Sequence, residues 1–325
     1  MPNKLALVLT VAFLLGVLVL SGCASSAEPD TVKVQLNGRH HPQFVGFYTA
    51  ADKGFYSENG IEVTLLPQEE GTSAGTIRDL SEGKTDFAVI SADELLLARD
   101  RGEPVIAIAA IFQRNPVVYG SLEDSGIKRP QDLSEKTVMA TEQGRIQHEA
   151  LMKKLEMDPA LTEILPYEPG VQHLVEGTVD AQMMYRVGTG IELEVAGYAM
   201  NYIWLEDYGI LSFGDVIVTR EELIQEDSSL VARFVEASLG GWRDSIEHQE
   251  EAAAIVNRYA PEIEPGLVSR IIEAQIPLIH EGSRPLGYME NGIWAEIVNQ
   301  LRDAGIVKPP VDVRDAYTND FVGRL

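Results

Sequence analysis

The stretch from Thr31 to Leu66, TVKVQLNGRHHPQFVGFYTAADKGFYSENGIEVTLL, decides the fold. Its first six residues alternate apolar and polar side chains, the signature of a half-buried strand. Gln43 to Lys53 then takes up helical periodicity and stops at Gly54, a residue suited to the left-handed turn after a helix. Ile61 to Leu66 (IEVTLL) is again strand-like. Strand, helix and strand at this spacing predict a parallel pair joined by a crossover helix.

The same rhythm continues outward. Ser73 to Glu82 reads as a helix, Phe87 to Ile90 as a strand, Ala92 to Arg101 as a helix and Val105 to Phe112 as a longer buried strand. After Pro116 a second set begins, with strands at Thr137 to Thr141 and Asp180 to Tyr185 and helices at Gly144 to Leu155 and Ile191 to Val195. From Ser229 the chain is almost wholly helical, in segments Ser229 to His248, Glu250 to Tyr259, Gly266 to Ile276 and Asn291 to Ala304, which prolines including Pro261, Pro265 and Pro277 separate or end. The fold class is therefore α/β, two-lobed, with a helical C-terminal part. Two β-like crossings, near Asn115 to Ser121 and Ser212 to Thr219, suggest a double hinge. Residues 31–115 and 213–325 are assigned to lobe one and residues 116–212 to lobe two. The cleft between lobes is where a small ligand is most easily surrounded.

Composition narrows the function. The chain of 325 residues carries 50 acidic and 26 basic side chains, a formal net charge of −24. So acidic a surface disfavours nucleic-acid binding, which needs a basic footprint. The single cysteine, Cys23, excludes a disulfide scaffold and a structural zinc finger. At the N-terminus Lys4 precedes an apolar run from Leu5 to Leu20, too short to span a membrane as a helix, and residues 1–22 read as a signal peptide. Leu20-Ser21-Gly22-Cys23 resembles the bacterial lipobox, which implies lipidation of Cys23 and an exported protein held at the outer face of the membrane. Residues 23–30 form the tether, and no second stretch approaches spanning length.

The order of short motifs resembles one family closely. Gln43-Phe44-Val45-Gly46-Phe47-Tyr48, Asp52-Lys53-Gly54-Phe55-Tyr56, Gly83-Lys84-Thr85-Asp86-Phe87, Ile111-Phe112-Gln113-Arg114-Asn115-Pro116, Lys128-Arg129-Pro130-Gln131-Asp132-Leu133 and Gly240-Gly241-Trp242-Arg243 resemble, in sequence order, the periplasmic solute-binding proteins of the thiamine-pyrimidine, riboflavin, sulfonate and nitrate ABC importers. The resemblance spans nearly all of residues 31 to 260. It implies a type II periplasmic-binding-protein fold, a small-molecule ligand, permease and ATPase partners, and no cofactor. The chain departs from the commoner family pattern at Asn37-Gly38-Arg39-His40-His41, where a tryptophan often stands, and at Tyr185-Arg186-Val187, where an acid often follows the aromatic residue.

Loops at the C-terminal ends of the parallel strands converge on the cleft of such a fold. That places Asn37, His41, Gln43, Phe44, Tyr48, Ser91, Asp93, Gln113, Tyr185 and Arg186 at the candidate ligand site, with the Glu70 to Thr72 loop and the Thr141 to Gln147 turn beside them. Phe44, Tyr48, Tyr185 and Trp204 can sandwich a flat ring; Asn37, Gln43, Ser91, Asp93 and Gln113 can bond its ring nitrogens, amino or carbonyl groups. The set suits an uncharged nitrogen heterocycle, a thiamine pyrimidine precursor or riboflavin. Sulfonate, taurine or nitrate, the alternative, would call for converging basic groups, for which Arg39, Arg145 and Arg186 are the candidates.

Other signals carry less. His40-His41 lacks a third ligand at metal-binding spacing, so no metal is expected. No Gly-x-Ser-x-Gly elbow is present, and Gly188-Thr189-Gly190 lacks the third glycine of a dinucleotide loop. Fungal relatives of the fold make the thiamine pyrimidine with a cysteine-rich motif; no cysteine follows Cys23, and a hydroxymethylpyrimidine-synthase-like enzyme is the weaker alternative. The chain is expected to be a monomer without catalytic residues.

Overall fold

A computed structural model describes residues 28–68, 73–280, 282, 284–307 and 313–323. Cys23, the signal peptide, most of the tether and the Glu70 to Thr72 loop lie outside the described residues.

Ten strands divide between two sheets. The first contains β1 (Asp30–Gln35), β2 (Ile61–Leu66), β3 (Phe87–Ser91), β4 (Val105–Ala110) and β10 (Asp215–Arg220), in the order β2-β1-β3-β10-β4. The second contains β5 (Val117–Leu122), β6 (Thr137–Ala140), β7 (Glu163–Pro166), β8 (Ala181–Tyr185) and β9 (Met200–Trp204), in the order β7-β6-β8-β5-β9. The two orders are equivalent. In each, four strands run in one direction, and a single antiparallel strand delivered by a crossing of the chain sits between the third and the last.

Period-two alternation sorts the first sheet's side chains into two cores. Phe87, Val89 and Ile217 face one cluster with the helices Val45–Asp52, Ser228–Glu247, Gln249–Tyr259 and Pro265–Ile279. Ala88, Ile90, Val216 and Val218 face another with the helices Ser73–Ser81, Ala92–Asp100 and Asn291–Asp303. In the second sheet Tyr119, Val138 and Met183 pack on one side and Val118, Met139 and Met184 on the other.

Several elements differ from the sequence expectation. The two crossings are built into the sheets as the interior strands β5 and β10, each next to the edge strand and paired on both sides, because each is an apolar run long enough to pair on both edges. Short, partly exposed β7 and the Met200–Trp204 strand β9 carry too little apolar alternation to be read from sequence. Pro277 lies inside a helix that continues to Ile279. There the Leu278 carbonyl accepts from the Gln113 and Arg114 N–H groups at 2.8 and 3.1 Å, so the helix end anchors the first crossing.

The helix Val45–Asp52 and the helix Ser228–Glu247 approach at a glycine contact. Trp242, 1% exposed, lies over Gly46 and edge-on to Phe47, with ring centroids 6.0 Å apart. Gly241 faces the backbone of the first helix at Gly46 and Ala50.

Candidate functional site

Where β3 ends and β10 begins, antiparallel pairing sets Ser91 opposite Asp215. The chain turns from Ser91 directly into the helix Ala92–Asp100, so Asp93 and Glu94 fall in its first turn beside Asp215. Ser91 is the N-cap of that helix: its hydroxyl accepts from the Glu94 N–H, and Glu94 Oε2 accepts from the Ser91 N–H at 3.1 Å. Like Glu94, the carboxylates of Asp93 and Asp215 accept from neutral donors. Asp93 Oδ2 accepts from Gln147 Nε2 at 2.9 Å and from Ser212 Oγ at 2.7 Å. Asp215 accepts from Asn37 Nδ2 at 2.9 Å, Gln43 Nε2 at 2.7 Å and the Tyr185 hydroxyl at 3.0 Å.

These bonds tie the lobes together: Asn37 and Gln43 follow β1, whereas Tyr185 ends β8 and Gln147 lies on the helix Glu142–Lys154. Asp93 and Asp215 are 4% and 2% exposed. Burial raises both carboxyl groups to about 6, and the charge acting on each is another carboxylate, Glu94, rather than a cation. Burial and the Asp215 charge also push the Tyr185 hydroxyl well above its ordinary value.

A raised native pKa means that the folded protein holds these protons more tightly than the unfolded chain. The contribution of each carboxyl is greatest below the unfolded value near 3.8 and is lost as pH rises through about 6. Replacing Asp215 with Asn is therefore expected to remove part of the fall in melting temperature between pH 4 and 6. A pH profile parallel to that of the wild type would contradict the assignment.

The other sequence candidates are dispersed. His41 caps the short turn Pro42–Phe44, its Nδ1 accepting from the Gln43 N–H at 3.2 Å, and faces Glu192 Oε1 across the lobes at 3.4 Å. That contact holds the Glu192 carboxyl below its usual range. Phe44 and Tyr48 are core residues, 1% and 0% exposed. Tyr48 stacks on Tyr259 with centroids 4.2 Å apart, and its hydroxyl accepts from the His41 N–H. Their aromatic bulk was the sequence signal for ring stacking, but both lie on the inward face of the helix entry. Gln113 donates to the Ala110 carbonyl at 2.9 Å beside the first crossing. Arg186 pairs with Glu194 at 2.9 Å and lies over the Tyr202 ring at 4.3 Å.

Asp215 was not among the sequence candidates. Its signal is an acid opening an otherwise apolar strand in SFGDVIVT, where burial demands partners. Among the described residues no group of three His, Cys, Asp or Glu is placed to hold a metal, and no helix is long and apolar enough to cross a membrane.

The two sheets of equal strand order, crossed twice by the chain, define the periplasmic-binding-protein fold. The alkanesulfonate-binding protein SsuA from Xanthomonas axonopodis, solved bound to MOPS, superposes with a TM-score of 0.71 at 13% identity, covering 90% of this chain and 99% of that one. The NMT1/THI5-like family model matches residues 41–252, and the chain belongs to that family. It is 28% identical to the riboflavin-binding protein RibY of Chloroflexus aurantiacus over 92% of this chain and 88% of that protein. The formylaminopyrimidine-binding protein of Halalkalibacterium halodurans is 23% identical, over 95% and 97%. A 4-amino-5-hydroxymethyl-2-methylpyrimidine phosphate synthase of Legionella pneumophila is 24% identical, over 92% and 94%.

Proposed function

We propose that the protein is the substrate-binding subunit of an ABC importer and captures riboflavin or a thiamine pyrimidine precursor between its lobes. Residues 31–115 and 213–325 serve as lobe one and residues 116–212 as lobe two. Residues 1–22 direct export, and a lipid on Cys23 with the 23–30 tether holds the body at the membrane surface. The ligand's contacts to both lobes favour the closed arrangement that a permease recognises. No chemistry is performed on the ligand.

One observation carries the choice of ligand: the interlobe carboxylates Asp93 and Asp215 are buried against neutral donors with Glu94 as the neighbouring charge. A sulfonate or nitrate brought here would meet like charge in a low-dielectric site, whereas ring N–H, amino and hydroxyl groups would be accepted. The names of the two binding-protein relatives support the same ligands.

The test is isothermal titration of the ligand-stripped protein at pH 7 with riboflavin, formylaminopyrimidine, taurine and nitrate. Binding of one heterocycle and of neither anion is the expected result. Preference for taurine or nitrate would overturn the reading.

A further inference from the structure

The helix Glu142–Lys154 opens with a cap, Thr141 Oγ1 accepting from the Gly144 N–H at 3.2 Å. Gly144 lies flat against the second sheet, where an added Cβ would stand 3.1 Å from Ala140 Cβ and Met183 Sδ. Gln143 and Gln147, one turn apart, share another face of the helix. Because Gln147 reaches Asp93 of the first lobe at 2.9 Å, that face looks across the interlobe site.

Gln143 is 8% exposed and Gln147 is 1% exposed, yet each has a polar atom without a partner. An ionised Asp93 only accepts, so the Gln147 amide turns its NH₂ towards it and leaves Oε1 unbonded. Nε2 of Gln143 likewise has none. A buried donor and a buried acceptor left unspent on adjacent turns are costly in the ligand-free protein and gain partners when a complementary edge arrives.

We infer that Gln143 and Gln147 form a reading edge for a ring on which a hydrogen-bond acceptor stands next to an N–H. Gln143 Nε2 donates to the ring acceptor, and Gln147 Oε1 takes the N–H. The imide edge of a flavin and the ring-nitrogen and amino edge of an aminopyrimidine both present this pair. The inference rests on the heterocycle reading and adds the residues that recognise the ring's polar edge.

The experiment is titration of wild-type, Gln143→Leu and Gln147→Leu proteins with riboflavin, N3-methylriboflavin, formylaminopyrimidine and its analogue in which the ring amino group is dimethylated and so carries no N–H. Binding of riboflavin or of formylaminopyrimidine by the wild type identifies which source supplies the edge. Each substitution, and methylation of the N–H, is expected to weaken binding about ten-fold, the loss of one buried hydrogen bond. In Gln147→Leu, methylation should cost nothing more. Gln143→Leu should also raise the melting temperature of the ligand-free protein, since the orphan donor is gone; a merely structural glutamine would lower it. A wild type that binds neither heterocycle overturns both this inference and the reading beneath it. A wild type that binds, with both variants and the methylated ligand unchanged, overturns this inference alone.

Discussion

Replacing Asp215 with Ala lowers ligand affinity by about 100-fold, equivalent to roughly 2.7 kcal/mol. The carboxylate is the shared acceptor of Asn37, Gln43 and the Tyr185 hydroxyl, so truncation strips Asn37 Nδ2 and the Tyr185 hydroxyl of their acceptor and leaves Gln43 Nε2 only its long 3.4 Å bond to Asn37 Oδ1. Each orphaned donor costs on the order of 1–3 kcal/mol, and relaxation towards water recovers part of that by opening the lobes. The loss therefore appears in binding, which needs the lobes together, as well as in stability. Asn is not a conservative replacement, because its amide presents its own NH₂ to a ring of donors. Titration calorimetry on Asp215→Ala decides the point: affinity within three-fold of wild type would show that the carboxylate holds nothing the ligand needs.

The second large effect is structural. Gly241→Ala should destabilise the protein by roughly 3 kcal/mol, at the upper end of what overpacking costs. On an exposed helix the same change would stabilise by about 1 kcal/mol, because Ala has the better helix propensity. Here the added methyl would overlap the Gly46 carbonyl oxygen and stand 2.6 Å from the Ala50 backbone nitrogen, neither of which can rotate away. The expected sign is therefore opposite to the propensity rule. Urea denaturation checks it, and a stability equal to or above wild type would mean that the two helices are not packed backbone to backbone.

Legibility in the sequence followed burial and period. Parallel β1 and β2 and the helices after Ser229 were readable because alternation and 3.6-residue periodicity are strong there. Strands β7 and β9 were not, since short strands with partly exposed faces leave no such pattern. At the candidate site, Asn37, Gln43, Asp93 and Tyr185 were legible as polar or amphipathic residues near strand ends; the structure brings Asn37, Gln43 and Tyr185 to Asp215, with Asp93 as the second buried carboxylate. Phe44 and Tyr48 show the converse: an aromatic residue at a helix entry has the same appearance whether it faces a ligand or the core. Asp215 needed the pairing of two segments more than 170 positions apart, as its bonds to Asn37 and Gln43 show.

The insertion of β10 between β3 and β4 sets an order of assembly. Until Asp215–Arg220 has been synthesised, β4 has no neighbour in its own sheet and β3 lacks one edge. The apolar segment Val105–Ala110 must therefore wait unpaired while the entire second sheet is made, a long loop to close before its contacts can be gained. The second lobe is a continuous segment whose five strands lie between Val117 and Trp204, and it can complete its sheet first. A chain cut short before Asp215 would retain a foldable second lobe and an open, sticky edge on the first, the kind of surface on which unfinished chains aggregate.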